Sequence, residues 1–321
     1  MSARVLVSDA VAPATLEALK AAGLEVNYLP KHTPEELRAA VPEAEGWIVR
    51  SATKATAELI EAAPKLRAIG RAGAGVDNVD VAAATRRGVL VMNVPGGSTL
   101  AVAELTFALL LALVRHVSRA HASLREGRWE KSAFLGTQLS GKTLGLVGVG
   151  RIGRAVAARA QAFGMQVLGC DPKLAGSPPP PGVEWVELDA LLTRADVVSL
   201  HVPLSPQTRG LIGAAQFARM KPGALLVDCA RGGVVDEAAL AEALRSGRLA
   251  GAALDVFETE PPPAGHPLLG LPNVVATPHL GASTVEAQEG VGVTIAAQLA
   301  DALLGRGVRD AVNPEAWKRS S

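Results

Sequence analysis

The run Leu144-Gly145-Leu146-Val147-Gly148-Val149-Gly150-Arg151-Ile152-Gly153 constrains this chain more than any other stretch. An apolar strand runs into a glycine turn, and the turn opens a helix. Free backbone N–H groups and the positive end of the helix dipole then meet at one point, which suits a pyrophosphate. Gly148 permits the tight turn, Gly150 lets the backbone approach a phosphate, and Gly153 lets the helix pack closely on its strand. The spacing predicts a helix over 152–163 with Ile152, Val156, Arg159 and Phe163 on one face, closed by Gly164, and a second strand over 165–170. Asp171 ends that strand. A carboxylate there accepts hydrogen bonds from ribose hydroxyls and repels a 2'-phosphate, so the residues point to NAD rather than NADP.

Strand and helix patterns alternate along the rest of the chain. Strands are predicted at 4–8, 25–29, 46–50, 66–70 and 89–93, with helices at 14–22, 55–63 and 81–87 and another capped by Thr33-Pro34-Glu35-Glu36. This α/β unit is complete near Pro95-Gly96-Gly97, before the glycine turn appears, so a second domain begins there. A long helix through Leu105, Leu109 and Val114, capped by Ser98 or Thr99, leads to an arm reaching Leu139. After the glycine turn, strands are predicted at 197–201, 224–229, 251–256 and 274–277, with a helix at 236–246 and an exposed connection at Pro178–Pro181. A last helix over 285–304 is long enough to return to the first domain, and a strand over 308–312 completes it. The expected architecture is α/β: two Rossmann-like or flavodoxin-like domains with parallel sheets. The dinucleotide domain, 98–284, is inserted into a discontinuous domain formed by 1–97 and 285–321.

Composition agrees with this plan. A chain of 321 residues can hold about two domains with separate cores. The net charge of +1 gives no footprint for nucleic acid or a membrane surface, and no apolar run reaches membrane-spanning length. The start passes straight into a strand with no signal-peptide layout, so the expected location is the cytoplasm. Only Cys170 and Cys229 occur, without metal-ligand spacing, so neither a disulfide framework nor a metal site is expected.

Three polar residues lie just past predicted strands. Arg231 follows in Cys229-Ala230-Arg231-Gly232-Gly233, Glu260 in Asp255-Val256-Phe257-Glu258-Thr259-Glu260-Pro261, and His279 in Thr277-Pro278-His279-Leu280-Gly281. Ligands of doubly wound sheets sit at the carboxyl ends of strands, so the three can converge on a nicotinamide. A guanidinium holds a carboxylate, an imidazole exchanges a proton, and a carboxylate beside it stabilises the imidazolium. That set fits hydride transfer to or from a small hydroxy acid. Taken singly, each has a structural alternative: Arg231 neutralising Asp228 or Asp236, Glu258 and Glu260 as solvated carboxylates, His279 as a structural histidine.

Arg71-Ala72-Gly73-Ala74-Gly75-Val76-Asp77-Asn78-Val79-Asp80, the 148–153 turn, Asp228–Gly233, Asp255–Pro261 and Pro278–Thr284 together resemble the D-isomer-specific 2-hydroxyacid dehydrogenases over nearly the whole chain. The resemblance implies an active site in a cleft between two domains. Arg231 would bind the substrate carboxylate, Glu260 would support His279, and His279 would be the acid/base. Asp255 would bind the nicotinamide carboxamide, with Arg151, Ile152, Val202, Cys229, Ala230, Gly281 and Ala282 as further cofactor contacts. Ala74 and Gly75 would help hold the substrate by their backbone. Arg50-Ser51-Ala52-Thr53-Lys54 and the stretch around Lys131 resemble members that act on a phosphorylated three-carbon hydroxy acid, with Arg50, Lys54, Arg71 and Lys131 as candidate phosphate partners. Alternatives are a reductase of unphosphorylated 2-oxo acids and an NAD-sensing binding module. The family also implies a homodimer or higher oligomer formed through the arm.

Overall fold

The computed structural model describes residues 2–174 and 176–319. The chain begins with β1 (Arg4–Val7), α1 (Pro13–Ala21), β2 (Glu25–Tyr28), α2 (Pro34–Ala40), β3 (Gly46–Val49), α3 (Ala57–Glu61), β4 (Ala68–Arg71), α4 (Val81–Arg87) and β5 (Leu90–Met92). Next come α5 (Thr99–Val114), α6 (Val117–Arg125), β6 (Thr143–Val147), α7 (Arg151–Ala162), β7 (Gln166–Cys170), β8 (Val183–Trp185), α8 (Leu188–Arg194) and β9 (Val197–Leu200). It ends with α9 (Ala214–Arg219), β10 (Ala224–Asp228), α10 (Glu237–Arg245), β11 (Leu249–Leu254), β12 (Val274–Ala276) and α11 (Val285–Leu303). Two compact units result, Met1–Ser98 with Ala282–Ser321, and Thr99–Gly281.

The first unit is a parallel sheet in the order β2-β1-β3-β4-β5. Because side chains alternate along a strand, β1, β3, β4 and β5 each feed two cores. Val5, Val7, Ile48, Ala68 and Leu90 pack under α1 and α11, while Leu6, Trp47, Val49, Ile69 and Val91 pack under α2, α3 and α4. Trp47 is fully buried, and its indole N–H donates to Ser8 Oγ at 2.8 Å, so the large ring enters the core without an orphan donor. The capping box read at Thr33 is present, and Asp80 and Thr284 cap α4 and α11.

One expected element is missing. Residues 308–312 form no strand, only a single antiparallel bridge between Ala311 and Met92. Positive φ angles at Gly305, Gly307 and Asp310 break the extended path there. Asn313 finishes the sheet edge instead: its Oδ1 accepts from Val91 N–H at 2.7 Å and its Nδ2 donates to Val89 O at 3.0 Å.

The second unit is a parallel sheet in the order β12-β11-β10-β9-β6-β7-β8. Its strands also feed two cores. Leu144, Leu146, Val167, Val197, Val227 and Ala253 pack under α5 and α7, and Leu168, Val198, Leu226, Ala252 and Leu254 pack under α8, α9 and α10. The strand order reverses at β6 and β9, and the glycine turn follows β6. That is the switch point at which doubly wound sheets bind ligands.

Two details depart from the sequence reading. β8 forms immediately after the proline run, where no strand was expected. The long helix expected through Leu105, Leu109 and Val114 is α5, and the arm after it opens with α6 across a 62° bend at Arg115 and His116, where His116 adopts φ 55°. No single described helix is long and apolar enough to cross a membrane. Phe163, placed on the buried face of α7, lies just past its last turn, is 41% exposed, and stacks on Phe107 at 5.1 Å.

Candidate active site

The glycine turn has the shape its sequence demands. Gly148 adopts φ +91°, and a Cβ there would lie 2.6 Å from the carbonyl oxygen of His201 and 2.9 Å from Val202 Cγ1. Gly153 would place a Cβ 2.3 Å from Gly148 O, so only glycine allows α7 to pack this close. A Cβ on Gly150 would meet nothing within 4 Å. Gly150 is also the N-cap of the 12-residue α7 and offers no side chain to its first N–H groups. The open face is therefore a cradle that a Cβ would fill and a phosphate can enter. Asp171 sits beside it, its Oδ2 accepting from Val149 N–H at 2.9 Å and its Oδ1 from Lys173 N–H at 3.1 Å. Arg151 and Ile152 form the first turn of α7, and the donor set fits a dinucleotide.

The three polar residues follow three neighbouring strands. Arg231 lies past β10, Glu260 past β11 and His279 past β12. Since the strands are parallel, all three leave the same edge. His279 Nδ1 lies 2.7 Å from Glu260 Oε2, and both side chains are partly open to solvent. Glu260 Oε1 accepts from Phe257 N–H at 3.1 Å, which fixes its carboxylate. Arg231 Nη1 donates to Ala230 O at 2.7 Å. Gly232 is pressed so closely on the turn bearing Glu260 that a Cβ would lie 1.8 Å from Phe257 O.

Buried carboxylates lie behind these groups. Asp255 Oδ1 accepts from Thr277 Oγ1–H at 2.6 Å and from Leu280 N–H at 2.7 Å, and its Oδ2 accepts from Gly281 N–H at 2.8 Å. The residue expected to touch a cofactor thus also shapes the turn that carries His279. Asp228 Oδ1 accepts from Ala230 N–H at 2.9 Å. Burial pushes Asp228 up to about 7, and the neighbouring Asp255 and Glu237 add to the shift. Burial likewise pushes the Cys229 thiol up to about 12, so it is an apolar filler rather than a nucleophile. His201 is pushed down to about 4 by burial, with Nε2 2.9 Å from Ser199 Oγ. Ala230 is buried, Val202 is half-buried, and Ala282 is exposed in the first unit.

In the first unit, a buried carboxylate organises the loop that carries Arg50 and Lys54. Asp9 accepts from Arg50 N–H, from Thr53 N–H at 3.0 Å and from Thr53 Oγ1–H at 2.8 Å. Asn78 Nδ2 ties the same loop down through the carbonyls of Arg50 and Thr53, at 2.8 and 2.6 Å. Arg71 folds over Gly73, where a Cβ would lie 1.6 Å from Arg71 Nη1, and Asn93 Nδ2 donates to Ala74 O at 2.5 Å. Arg71, Ala74 and Gly75 therefore share one braced loop. Lys131 opens an exposed 3-10 turn, Lys131–Phe134, of the second unit. Sequence alone assigns no role to Asp9, nor to Asn78 within the Arg71–Asp80 run. Their only local signal is an acid directly after the first strand and an amide in the glycine-rich loop.

The switch-point sheet, the phosphate cradle and the imidazole–carboxylate pair define the class: an α/β dehydrogenase with a dinucleotide domain. Residues 107–281 match the profile of the D-isomer specific 2-hydroxyacid dehydrogenase, NAD binding domain, and the chain belongs to that family. D-3-phosphoglycerate dehydrogenase of Rattus norvegicus is 49% identical over 314 residues, 98% of this chain and 59% of that protein. The chain thus spans about three-fifths of the length of such relatives. A crystal structure of a Thermus thermophilus protein superposes with a TM-score of 0.89 at 43% identity, covering 96% of this chain and 99% of that one. A glyoxylate reductase from Paecilomyes thermophila gives 0.87 at 31% identity, covering 98% and 99%.

Proposed function

We propose that this chain oxidises D-3-phosphoglycerate to 3-phosphohydroxypyruvate with NAD, a step toward serine. What supports the reading is the 2.7 Å His279–Glu260 pair at the strand edge of a chain that aligns along 98% of its length with D-3-phosphoglycerate dehydrogenases.

His279 commits Nδ1 to Glu260. Nε2 is left to take the proton from the substrate hydroxyl, and Glu260 stabilises the imidazolium that forms. Arg231 holds the substrate carboxylate with its fixed fork of donors. When bound, NAD supplies the acceptor for the hydride from the same carbon. Gly148, Gly150, Arg151, Ile152 and Gly153 would hold its pyrophosphate, and Asp171 its ribose. Val202, Cys229, Ala230, Asp255, Gly281 and Ala282 would complete its contacts, joined by Arg231 and His279. The substrate phosphate falls to Arg50, Lys54, Arg71 and Lys131, and the backbone of Ala74 and Gly75 would help Arg231 hold the carboxylate.

The assembly in this reading is a homodimer or a higher homo-oligomer. Trp129 and Leu135 are 83% and 88% exposed after α6, which suits burial against a second copy. A cytoplasmic location agrees with two free, buried cysteines.

A panel of phosphorylated and unphosphorylated 2-hydroxy acids, read by NADH formation, tests the function. D-3-phosphoglycerate should have the highest kcat/KM. Equal efficiency on glycerate or glycolate would instead assign a glyoxylate or hydroxypyruvate reductase. NAD binding without turnover on any acid would assign a binding module.

A further inference from the structure

A second imidazole–carboxylate pair stands behind the first. Glu237, in the first turn of α10, points its Oε2 at His266 Nε2 at 3.0 Å, while its Oε1 accepts from Glu258 N–H at 2.6 Å. His266 Nδ1 accepts from Leu268 N–H at 3.4 Å, so Nε2 carries the proton and donates to Glu237. Phe257 meets the His266 ring edge-on at 5.4 Å. The pair is shielded: the His266 and Glu237 side chains are 10% and 19% exposed, against 47% and 37% for His279 and Glu260.

Every backbone group of the Phe257–Glu258 turn named here is engaged by a different neighbour. Phe257 N–H donates to Glu260, Phe257 O faces Gly232, and Glu258 N–H donates to Glu237. Glu260 can reach His279 only while this turn keeps its place, and the Arg231 loop rests on the same carbonyl. Glu237 fixes the turn from the α10 side, and His266 fixes Glu237.

We propose that Glu237 and His266 are positioning residues for the reaction, a buried brace that sets Glu260 against His279 and Arg231 beside them. The proposal rests on the acid–base role assigned above to the His279–Glu260 pair. It makes a rescue pattern that bulk packing would not produce. In Glu237→Gln, the amide Nε2 faces the His266 N–H donor against donor, and the brace opens. In His266→Gln, an amide N–H replaces the imidazole N–H, and the brace survives. In the double variant Glu237→Gln/His266→Gln, the two amides pair again.

The experiment compares these three variants and His266→Ala with the wild type. Steady-state kinetics, NAD affinity, melting temperature and amide hydrogen exchange over 256–261 and 277–281 are measured on each. Glu237→Gln and His266→Ala should lower kcat about tenfold or more, with KM and NAD affinity held within about twofold. Exchange at the Phe257 and Glu258 amides should speed up about tenfold. His266→Gln should keep most of the activity, and the double variant should recover most of what Glu237→Gln loses.

Unchanged kcat and exchange in Glu237→Gln, or a double variant no better than it, would overturn the brace. So would a loss that follows melting temperature alone. The exchange readout judges the brace even if no acid is turned over. A wild type inactive on every acid, or an active His279→Ala, overturns the acid–base reading instead.

Discussion

Asp255 grips the turn that carries His279 from both sides, taking Leu280 N–H on Oδ1 at 2.7 Å and Gly281 N–H on Oδ2 at 2.8 Å. His279 itself adopts φ 54°, a left-handed conformation that a residue with a Cβ rarely takes. Buried hydrogen bonds to a carboxylate are among the stronger stabilising contacts, so Asp255→Ala should cost about 3 kcal/mol of folding stability. Activity should fall further than stability accounts for, because the imidazole loses its aim. Asp255→Asn keeps one oxygen acceptor and should fall between the two. Denaturant midpoints and kcat measured on the same preparations check this, and full activity in a folded Asp255→Ala would refute it.

The acid–base pair has a graded expectation. His279→Ala removes the proton acceptor and should lower kcat by about 10² to 10⁴, the usual contribution of a positioned general base. Glu260→Gln can still accept from Phe257 N–H but loses the charge that stabilises the imidazolium, so its loss should be smaller, about tenfold to 100-fold. NAD affinity should change little in either. Fluorescence titration with NADH alongside turnover separates the two effects.

Two buried groups near the cofactor edge should give opposite slopes of stability with pH. The folded chain holds a proton on Asp228 up to about 7, while the unfolded chain releases it near 3.8, so this group's contribution falls as pH rises between those values. The folded chain keeps His201 neutral down to about 4, while the unfolded chain protonates it near 6.5, so its contribution falls as pH drops through that range. Each slope has a ceiling of about 1.4 kcal/mol per pH unit, and in the shared window they oppose each other. Asp228→Asn should therefore make stability drop more steeply on acidification. His201→Gln should make it rise. Urea midpoints between pH 4 and 8 would show parallel curves for all three proteins if this account is wrong.

Much of this was legible in the sequence because the signals are local. The positive φ at Gly148 and the close approach of Gly153 to Gly148 O are local demands, Gly150 leaves its face open, and Arg231, Glu260 and His279 each stand just past an apolar strand. Convergence of the last two was inferred from parallel topology, and the 2.7 Å contact agrees with it. What escaped the reading depends on partners far along the chain. Asp9 shows its purpose only when Arg50 and Thr53 lie beside it, and His266 only when Glu237 does. β8 was hidden because three residues after a proline run carry too little periodicity to register. The apolar look of 308–312 misled for the converse reason: extended propensity cannot overcome two glycines and Asp310 at positive φ.

The glycine turn offers a test that separates ligand from fold. A side chain on Gly150 has open space around it, and its backbone, at φ −70° and ψ −155°, suits any residue. Gly150→Val should fold with an unchanged melting temperature and lose NAD affinity by about tenfold or more, because the isopropyl group fills the phosphate cradle. A Cβ on Gly153 lands 2.3 Å from Gly148 O, so Gly153→Ala must push α7 off its strand. Its cost should be about 1 to 3 kcal/mol of stability, with NAD affinity falling alongside. Thermal melts without cofactor, followed by NADH titration, distinguish the cases. A Gly150→Val protein that binds NADH normally would mean that the pyrophosphate lies elsewhere, and the assignment of the turn would fail with it.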